Sequence, residues 1–265
     1  MGSGSNVTVY ADQRVFRELV THPLYQVRED QAANIYQSQR AYWAERMLDP
    51  GYLDQTLASY SKAMEKPYLS SMAARIAGLA KTVPAGEPIR VLEIGGANAA
   101  LLHWWKDHKP DAPLRYTGLE PYKPFVEHAA KQFPEAEMIL GDAEAFLEMD
   151  FAGKPRFTAF VAATVFCMIH PVIVRKCLLK AAKLTDNILI RDYMINVQGG
   201  IAADGILTFD YYQKAHLPLM FAHHYQRFFD DIGFRVVHFE DARTEFDGPG
   251  WGLLHLVRAH PLRTS

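Results

Sequence analysis

Residues 91–102 read VLEIGGANAALL, and this stretch decides the fold. An apolar strand that carries one acid, Glu93, runs through the small residues Gly95, Gly96 and Ala97 into the start of an amphipathic helix. Such a turn brings the backbone close to a ligand and aims the N–H groups of the helix N-terminus at it. Small residues are expected here because a larger Cβ substituent would occupy the space of the ligand. The stretch therefore predicts a nucleotide- or nucleoside-binding turn in an α/β sheet.

The chain alternates between strand and helix after residue 84. Apolar runs and their periodicity predict strands at 89–94, 114–119, 138–140, 157–163, 187–191, 234–239 and 253–257, and helices at 98–108, 125–132, 143–147, 172–184 and 221–232. Such alternation favours a parallel sheet with helices on both faces. We therefore predict an α/β fold with a doubly wound, mostly parallel, Rossmann-like sheet of seven strands, closed by an antiparallel edge. Ligands of these sheets bind at the carboxyl ends of the strands.

Helical periodicity extends over residues 10–83 and predicts three or four helices before the sheet. We assign residues 1–83 to an N-terminal helical cap and residues 84–265 to a ligand-binding domain with a cap insertion at 193–220. One helix of the cap carries an aromatic stripe that includes Tyr36 and Trp43. Such a stripe is typical of core packing, and it also fits a lid over an active site.

The composition excludes several classes of protein. The 265 residues carry a formal net charge of −2 and show no basic stripe, so nucleic acid is not an expected partner. No apolar run reaches the roughly 18 residues that span a bilayer, and residues 1–5 lack the features of a signal peptide. Two cysteines, Cys167 and Cys177, favour a reducing compartment. We expect a cytoplasmic protein with no membrane partner, and a homodimer is compatible with these features.

Three acids stand at informative places relative to the predicted strands. Glu93 lies two residues before Gly95, Glu120 follows the second strand, and Asp142 follows the third. A nucleoside bound at this edge needs an acceptor for its two ribose hydroxyls, which a carboxylate supplies bidentately. Asp142 could accept from an exocyclic amine, and Glu93 from the backbone or from a cationic amine.

This arrangement resembles the class I S-adenosylmethionine-dependent methyltransferases. Residues 91–95 (VLEIG) are similar to their first motif, residues 118–120 (GLE) to their ribose-binding acid and residues 141–143 (GDA) to their adenine-binding acid. The resemblance covers residues 89–192 and implies S-adenosylmethionine as the cofactor. The cofactor-binding residues that it implies are Glu93, Gly95, Gly96, Ala97, Glu120, Pro121, Tyr122, Asp142, Ala143 and Thr164. Among these, Glu120 would bind the ribose, Asp142 the adenine amine, the 95–97 backbone the methionine part, and Tyr122 would stack on adenine.

One departure from the family pattern concerns the turn. Ala97 and Ala99 stand where the family usually has glycine. If these positions need a positive φ, alanine costs about 1 kcal/mol or more there. Two alternatives therefore stay open. In the first, the chain is a non-catalytic relative that acts as a binding or scaffold protein. In the second, it is an NAD-dependent oxidoreductase in which Gly95 and Ala100 belong to a degenerate dinucleotide-binding motif.

The catalytic candidates follow the fourth and fifth predicted strands. We predict His170, Asp192 and Tyr193 as catalytic residues, although His170 also fits a helix cap. The substrate-binding candidates are Tyr36, Tyr60, His223 and His224. No metal site is predicted, because His216, His223 and His224 have no carboxylate at ligand spacing and no C-x-x-C pair occurs.

The substrate class follows from what the chain contains and what it lacks. The Asn/Asp-Pro-Pro-Tyr sequence of amino-methylating nucleic-acid and glutamine enzymes is absent after the fourth predicted strand, where residues 163–166 read ATVF. The aromatic cap favours a small, partly apolar substrate that is enclosed from water. We therefore predict a small-molecule methyltransferase that methylates O, N or C by direct displacement.

Overall fold

The computed structural model describes residues 25–49, 51–52, 54–56, 67–97, 99–108, 112–193, 206–210, 217–223, 225–241 and 251–258. The strands in these ranges are β1 (Tyr25–Val27), β2 (Ile89–Ile94), β3 (Leu114–Glu120), β4 (Glu137–Leu140), β5 (Ala159–Ala163), β6 (Asn187–Tyr193), β7 (Ile206–Phe209), β8 (Met220–Ala222), β9 (Phe234–Asp241) and β10 (Trp251–Arg258). The helices are α1 (Glu29–Arg46), α2 (Pro67–Gly78), α3 (Ala100–His108), α4 (Lys123–Gln132), α5 (Ala143–Glu148), α6 (Pro171–Leu184) and α7 (Tyr225–Ile232), with short 3-10 helices at Leu79–Thr82 and Phe166–Met168.

The larger sheet has the strand order β4–β3–β2–β5–β6–β10–β9. Strands β2 to β6 are parallel to one another, whereas β10 pairs antiparallel with both β6 and β9. The order reverses at β2, which lies between β3 and β5, so the carboxyl end of β2 is at the switch point where ligands of such sheets bind. The prediction of a parallel α/β sheet with an antiparallel closing pair is confirmed.

Helices cover both faces of this sheet. Along β5, Phe160 packs into the layer that contains α5, α6 and α7, and Val161 packs into the layer that contains α2, α3 and α4. Both side chains are fully buried. Burial on both faces explains why 159–163 is a continuous apolar run, and it contributes about 1.5–3 kcal/mol for each large apolar side chain. The sheet therefore gives the strand ends a rigid support.

The region before residue 84 is not all helical, so that expectation is wrong. Strand β1 lies there and pairs antiparallel with β7, which in turn pairs with β8, forming a three-stranded sheet. The expected cap insertion at 193–220 thus contains β7 and the start of β8, while its residues 194–205 and 211–216 lie outside the described part of the chain. Strands of three or four residues are too short to be recognised by their periodicity.

Two further predicted boundaries are wrong: the start of the helix at 221–232 and the end of the strand at 187–191. Residues 220–222 form β8 rather than the start of a helix, and α7 begins at Tyr225. These three residues are all buried, and a short apolar run does not distinguish a strand from a buried helix. Strand β6 extends to Tyr193, so Asp192 and Tyr193 lie within this strand and do not follow it.

Candidate functional site

The turn after β2 has a left-handed backbone at several residues. Gly95 has a φ of 73°, Ala97 of 42° and Ala99 of 60°. The concern that alanine occupies positions with positive φ is therefore confirmed. Left-handed backbone costs roughly 1–2 kcal/mol for each residue that carries a Cβ atom. The rest of the fold supports this conformation against its local cost.

The N–H groups of this turn are bonded within the protein. The amides of Gly95 and Gly96 both donate to the Leu119 carbonyl, at 2.9 and 3.2 Å. The amide of Ala97 donates to Glu120 Oε2 at 2.9 Å. The expectation that free N–H groups of the turn point at a ligand is therefore wrong for these three residues. These three amides of the turn are therefore not open to an anionic ligand.

Glycine is needed at positions 95 and 96 for close packing within the protein, whereas we expected it to leave room for a ligand. A Cβ atom on Gly95 would lie 2.9 Å from Cγ2 of Val165, and one on Gly96 would lie 2.6 Å from the Tyr116 hydroxyl. Both distances are shorter than real Cβ contacts. Side chains of the protein itself occupy this space, so the glycines permit close packing of the turn against β3 and the end of β5.

Two buried acids lie beneath and beside the turn. Glu93 accepts a hydrogen bond of 2.6 Å from the Tyr116 hydroxyl, and Glu120 accepts from the amides of Ala97 and Tyr122, at 2.9 and 3.0 Å. Burial raises the pKa of Glu93 to about 7, while the Tyr116 bond opposes the rise. Burial also raises the pKa of Glu120 to about 7, against the two backbone bonds. Both carboxyls are strong acceptors in surroundings of low polarity.

The Tyr122 ring, which the resemblance makes a stacking partner of adenine, is buried among other rings. It packs edge-on against Phe125 with 4.9 Å between the ring centroids, and Tyr52 lies 6.0 Å away. Pro121 is exposed beside it, and Ala143 is buried as the first residue of α5. These three residues lie at the ends of the neighbouring strands β3 and β4, as predicted.

Asp142 begins α5 and makes two kinds of contact. Its Oδ1 accepts from the amides of Glu144 and Ala145 at 3.0 and 2.9 Å, so it caps the helix. Its Oδ2 lies 3.5 Å from Nη2 of Arg40 in α1. Arg40 also forms an ion pair with Glu144, which accepts a hydrogen bond of 3.2 Å from Tyr36. Sequence patterns gave no signal for Arg40, because its partners are about a hundred residues away.

His170 lies on the opposite side of the turn, after β5. Its Nδ1 accepts from the Val172 amide at 3.3 Å, so the ring caps α6 and its Nε2 carries the proton. Nε2 is 3.5 Å from Glu29 of α1. The ring also contacts those of Tyr36 and Phe221, with centroids 6.3 and 5.9 Å away. Burial lowers the pKa of His170, and Glu29 opposes this. The capping alternative is confirmed.

The residues at the ends of β5 and β6 form a buried polar group. Thr164 has a φ of 60° and accepts from Arg191 Nη1 at 3.1 Å. Asp192 accepts a hydrogen bond of 2.6 Å from the Tyr225 hydroxyl, and both side chains are at most 2% exposed. Asp192 also raises the pKa of Cys167 well above its ordinary value, after the larger effect of burial. Asp192 is therefore buried within β6 in this arrangement, whereas we predicted that it follows the strand.

Comparison with solved structures gives relatives of the same architecture. The chain matches the amino pentose methyltransferase CalS10 of Micromonospora echinaspora over 77% of its own length and 97% of that chain, with 14% identity and a TM-score of 0.52. It matches the magnesium protoporphyrin IX methyltransferase ChlM of Synechocystis PCC 6803 over 89% and 100%, with 10% identity and a TM-score of 0.52. No protein-family model matches the chain, and no curated protein matches it by sequence.

The chain has the class I methyltransferase fold. A third structure, the mitomycin 7-O-methyltransferase MmcR, agrees at 16% identity and a TM-score of 0.50, over 87% of this chain and 67% of that one. The resemblance stated from the motifs at Glu93, Glu120 and Asp142 is thereby confirmed for the fold.

The methyltransferase fold brings most of the predicted cofactor residues to one edge of the sheet. The turn, Glu120, Tyr122, Asp142 and Thr164 all lie at the ends of adjacent strands β2, β3, β4 and β5. His223 is 2% exposed, and its Nε2 is 2.6 Å from the carbonyl of Phe166. Tyr60, His224 and the side chain of Tyr193 lie outside the described residues.

The described residues also bear on membrane and metal binding. No helix among them is both long and apolar enough to cross a membrane. No cluster of three or more His, Cys, Asp or Glu suited to a metal ion occurs in the same part of the chain. Sequence reasoning missed the contacts of Tyr116 with Glu93 and of Glu144 with Tyr36, since only the strand register and the packing of α1 create them.

Proposed function

We propose that the chain is an S-adenosylmethionine-dependent methyltransferase that acts on a small, partly apolar molecule at O, N or C by direct displacement. One observation carries this proposal. The amides of Gly95, Gly96 and Ala97 are already bonded within the protein, while the acids Glu93 and Glu120 lie buried around them. Such a set of groups favours a ligand that brings donors and positive charge.

The same observation argues against a dinucleotide. A pyrophosphate needs open N–H donors and a positive field, as in the glycine-rich turns that bind it. Here the amides of Gly95, Gly96 and Ala97 are already bonded within the protein, and two carboxyls lie beside the turn. A nucleoside with a sulfonium and an ammonium group fits this donor-poor site, because it carries cations and hydroxyl donors.

Three acidic residues bind different parts of the cofactor in this proposal. Glu120 accepts from ribose hydroxyls, and its bonds to the Ala97 and Tyr122 amides hold it in place. Asp142 accepts from the adenine amine through Oδ2, since Oδ1 is committed to capping α5. Glu93 places a carboxyl under the turn and attracts positive charge. The bound cofactor would supply an electrophilic methyl group on a sulfonium.

The substrate side is formed by residues after β5 and by α1. Tyr36, His170 and Phe221 form an aromatic group there, which suits a small and partly apolar molecule. CalS10 is an amino pentose methyltransferase and MmcR is a mitomycin 7-O-methyltransferase, and both support a small-molecule substrate. His223 stays a predicted substrate residue, although it lies behind Phe221 and is bonded to the Phe166 carbonyl.

His170 is suited to donate a hydrogen bond rather than to take a proton. Its Nδ1 is used by the Val172 amide, and its Nε2 carries the proton. Burial lowers its pKa, which favours the neutral form of the ring. Displacement from a sulfonium needs good positioning and little water, and it needs a base only when the nucleophile must lose its proton early. Within this proposal His170 orients the substrate, and Asp192 and Tyr193 stay predicted catalytic residues.

Calorimetry with S-adenosylhomocysteine and with NADH tests the proposal. The wild-type chain should bind S-adenosylhomocysteine and not NADH. Glu120→Ala and Asp142→Ala should each weaken S-adenosylhomocysteine binding at least tenfold, which is about 1.4 kcal/mol. Glu137→Ala is the control, because Glu137 is exposed at the amino end of β4. Binding of NADH alone, or full affinity in both variants, would contradict the assignment.

Location in the cytoplasm and a homodimeric assembly belong to the same proposal. The net charge of −2 and the two buried, free cysteines are consistent with such a protein. Sedimentation of the purified chain measures its oligomeric state directly, and a single monomeric species would contradict the homodimer.

A further inference from the structure

Helix α1 bridges the two sides of the proposed cofactor site. Arg40 contacts Asp142 and Glu144, which follow β4, whereas Glu29 contacts His170, which follows β5. In the sheet order, β4 and β5 flank β3 and β2, the two strands that carry Glu120 and the 95–97 turn. The helix therefore passes over the ends of the strands between its two anchors.

The anchors of α1 are mostly polar. Only Ala32, Tyr36 and Gln39 of its 18 residues are buried. Gln39 donates to the Leu219 carbonyl at 2.7 Å, and Tyr36 donates to Glu144 at 3.2 Å. Helices that bury a broad apolar stripe are held by the hydrophobic effect, whereas partly exposed ion pairs contribute little each. Ala32 and Tyr36 add a short apolar contact with the core, so α1 is held by a narrow apolar face together with these polar bonds.

Glu144 is the residue on which this attachment converges. Its Oε2 receives both the Arg40 guanidinium and the Tyr36 hydroxyl, which lie one turn apart on α1. The Arg40 and Glu144 side chains are 47% and 44% exposed, so salt can screen their attraction. Arg40 also stands 3.5 Å from Asp142 Oδ2, the proposed acceptor for adenine.

We propose that α1 is a strap across the cofactor site, and that the contacts of Arg40 and Tyr36 with Glu144 form the latch that controls cofactor exchange. This inference rests on the proposed function, because it regulates the same site. The latch is closed in the structure, and α1 then lies over the strand ends. Opening it therefore precedes both entry and departure of the cofactor, and weakening it speeds both.

The test compares Glu144→Gln with a matched control, Asp231→Asn. Asp231 is 41% exposed and pairs with Arg175 at 2.7 Å, but it joins α6 to α7 and has no contact with α1 among the described residues. Association and dissociation of S-adenosylhomocysteine are followed by stopped-flow fluorescence, to which Trp43 of α1 contributes. Glu144→Gln should raise both rates at least fivefold and change Kd less than threefold, and Asp231→Asn should change neither rate.

Salt dependence and hydrogen exchange complete the test. Between 50 and 500 mM NaCl, exchange of S-adenosylhomocysteine should accelerate in the wild type and much less in Glu144→Gln. Amide hydrogen exchange of residues 32–46 without ligand should be faster in Glu144→Gln and in Tyr36→Phe than in Asp231→Asn. Unchanged rates and unchanged hydrogen exchange would overturn the strap, as would a weaker Kd with an unchanged association rate. A wild-type chain that binds no S-adenosylhomocysteine would instead overturn the proposed function, and the hydrogen-exchange comparison would still decide whether α1 is latched.

Discussion

At the scale of single residues, the candidate site combines backbone strain with buried charge. Ala97, Ala99 and Thr164 have positive φ angles of 42°, 60° and 60°, all at the ends of β2 and β5. Strain of this kind persists where the surrounding structure enforces it, and it concentrates at functional sites. The acids Glu93 and Glu120 add desolvated carboxyls at the same place. Both features lower stability locally in exchange for a shaped acceptor site.

Replacing Ala97 by glycine should stabilise the protein. The left-handed conformation costs an alanine roughly 1–2 kcal/mol, while the greater freedom of glycine in the unfolded chain offsets about 0.4–1 kcal/mol of the gain. Ala97→Gly should therefore raise the free energy of unfolding by about 0.5–1 kcal/mol, measured by urea denaturation. Ala129→Gly, inside α4, is the control and should lower it. A loss of stability in Ala97→Gly would show that the turn is not strained.

Replacing Glu93 by glutamine should stabilise the protein only at higher pH. Burial raises the pKa of Glu93 from 4.5 to about 7, so the folded state holds this proton more tightly than the unfolded state. The resulting stability is fully present below pH 4.5 and is lost as the pH rises through 7. At pH 8, Glu93→Gln should raise the free energy of unfolding by about 1–3 kcal/mol, and at pH 5 it should have little effect.

The control for Glu93→Gln is Glu137→Gln, at an exposed position of β4. At pH 8 this variant should change the free energy of unfolding less than Glu93→Gln does, because an exposed carboxyl paired with Lys154 contributes little. Denaturation curves at pH 5, 6, 7 and 8 provide the measurement. Equal effects of Glu93→Gln at pH 5 and pH 8 would contradict the raised pKa.

At the scale of elements, helix ends supply the functional residues. Asp142 is the N-cap of α5 and His170 is the N-cap of α6, so each has a structural role beside its proposed functional one. The strand ends supply Glu120 and the 95–97 turn. Capping holds these side chains rigidly, because the backbone amides fix one polar atom and leave the other to face the site.

Two variants of Asp142 separate its capping role from its binding role. Asp142→Ala should lower the free energy of unfolding by about 1 kcal/mol through loss of the cap, whereas Asp142→Asn should stay within a few tenths because asparagine caps equally well. Both should weaken binding of S-adenosylhomocysteine, since asparagine replaces a carboxylate oxygen by a neutral group. Thermal unfolding and calorimetry measure the two effects. Full affinity in Asp142→Asn would mean that Asp142 only caps α5.

At the scale of the whole molecule, the first and last parts of the chain close around the central sheet. Strand β1 pairs with β7, Gln39 bonds to the Leu219 carbonyl, and Tyr225 bonds to Asp192 of β6. The helical and strand segments on either side of the parallel strands thus form one cover with α1. The stability of this cover therefore depends on contacts between distant segments.

Removing the Tyr225 hydroxyl should destabilise the whole chain. Asp192 is 1% exposed, and in Tyr225→Phe it would lose the hydrogen bond of 2.6 Å that the Tyr225 hydroxyl donates to it. Weakening the solvation of a buried carboxyl should cost about 1–3 kcal/mol in the free energy of unfolding. Asp192→Asn can still accept from Tyr225 and should cost less. Tyr25→Phe, on the exposed β1, should be neutral.

Methyl transfer in the same variants would identify the role of Asp192. If Asp192 has only a structural role, the loss of activity in Tyr225→Phe and in Asp192→Asn should parallel the loss of stability in each variant. Activity lost in Asp192→Asn alone, with stability retained, would show that Asp192 acts directly in the reaction.

The sequence by itself determined the parallel strands between Ile89 and Arg191 and their helices, whereas the positive φ of Ala97 and Ala99 entered only as a condition. These strands and helices follow from apolar periodicity and from turn-forming residues such as Gly and Pro, which act over a few positions, so local patterns reveal them. Only the tertiary structure decided what the site residues contact. Glu93 meets Tyr116 through strand register, Glu144 meets Tyr36 across 108 positions, and Gln39 meets Leu219 across 180. Contacts over such separations depend on packing of the whole chain, which no local pattern encodes.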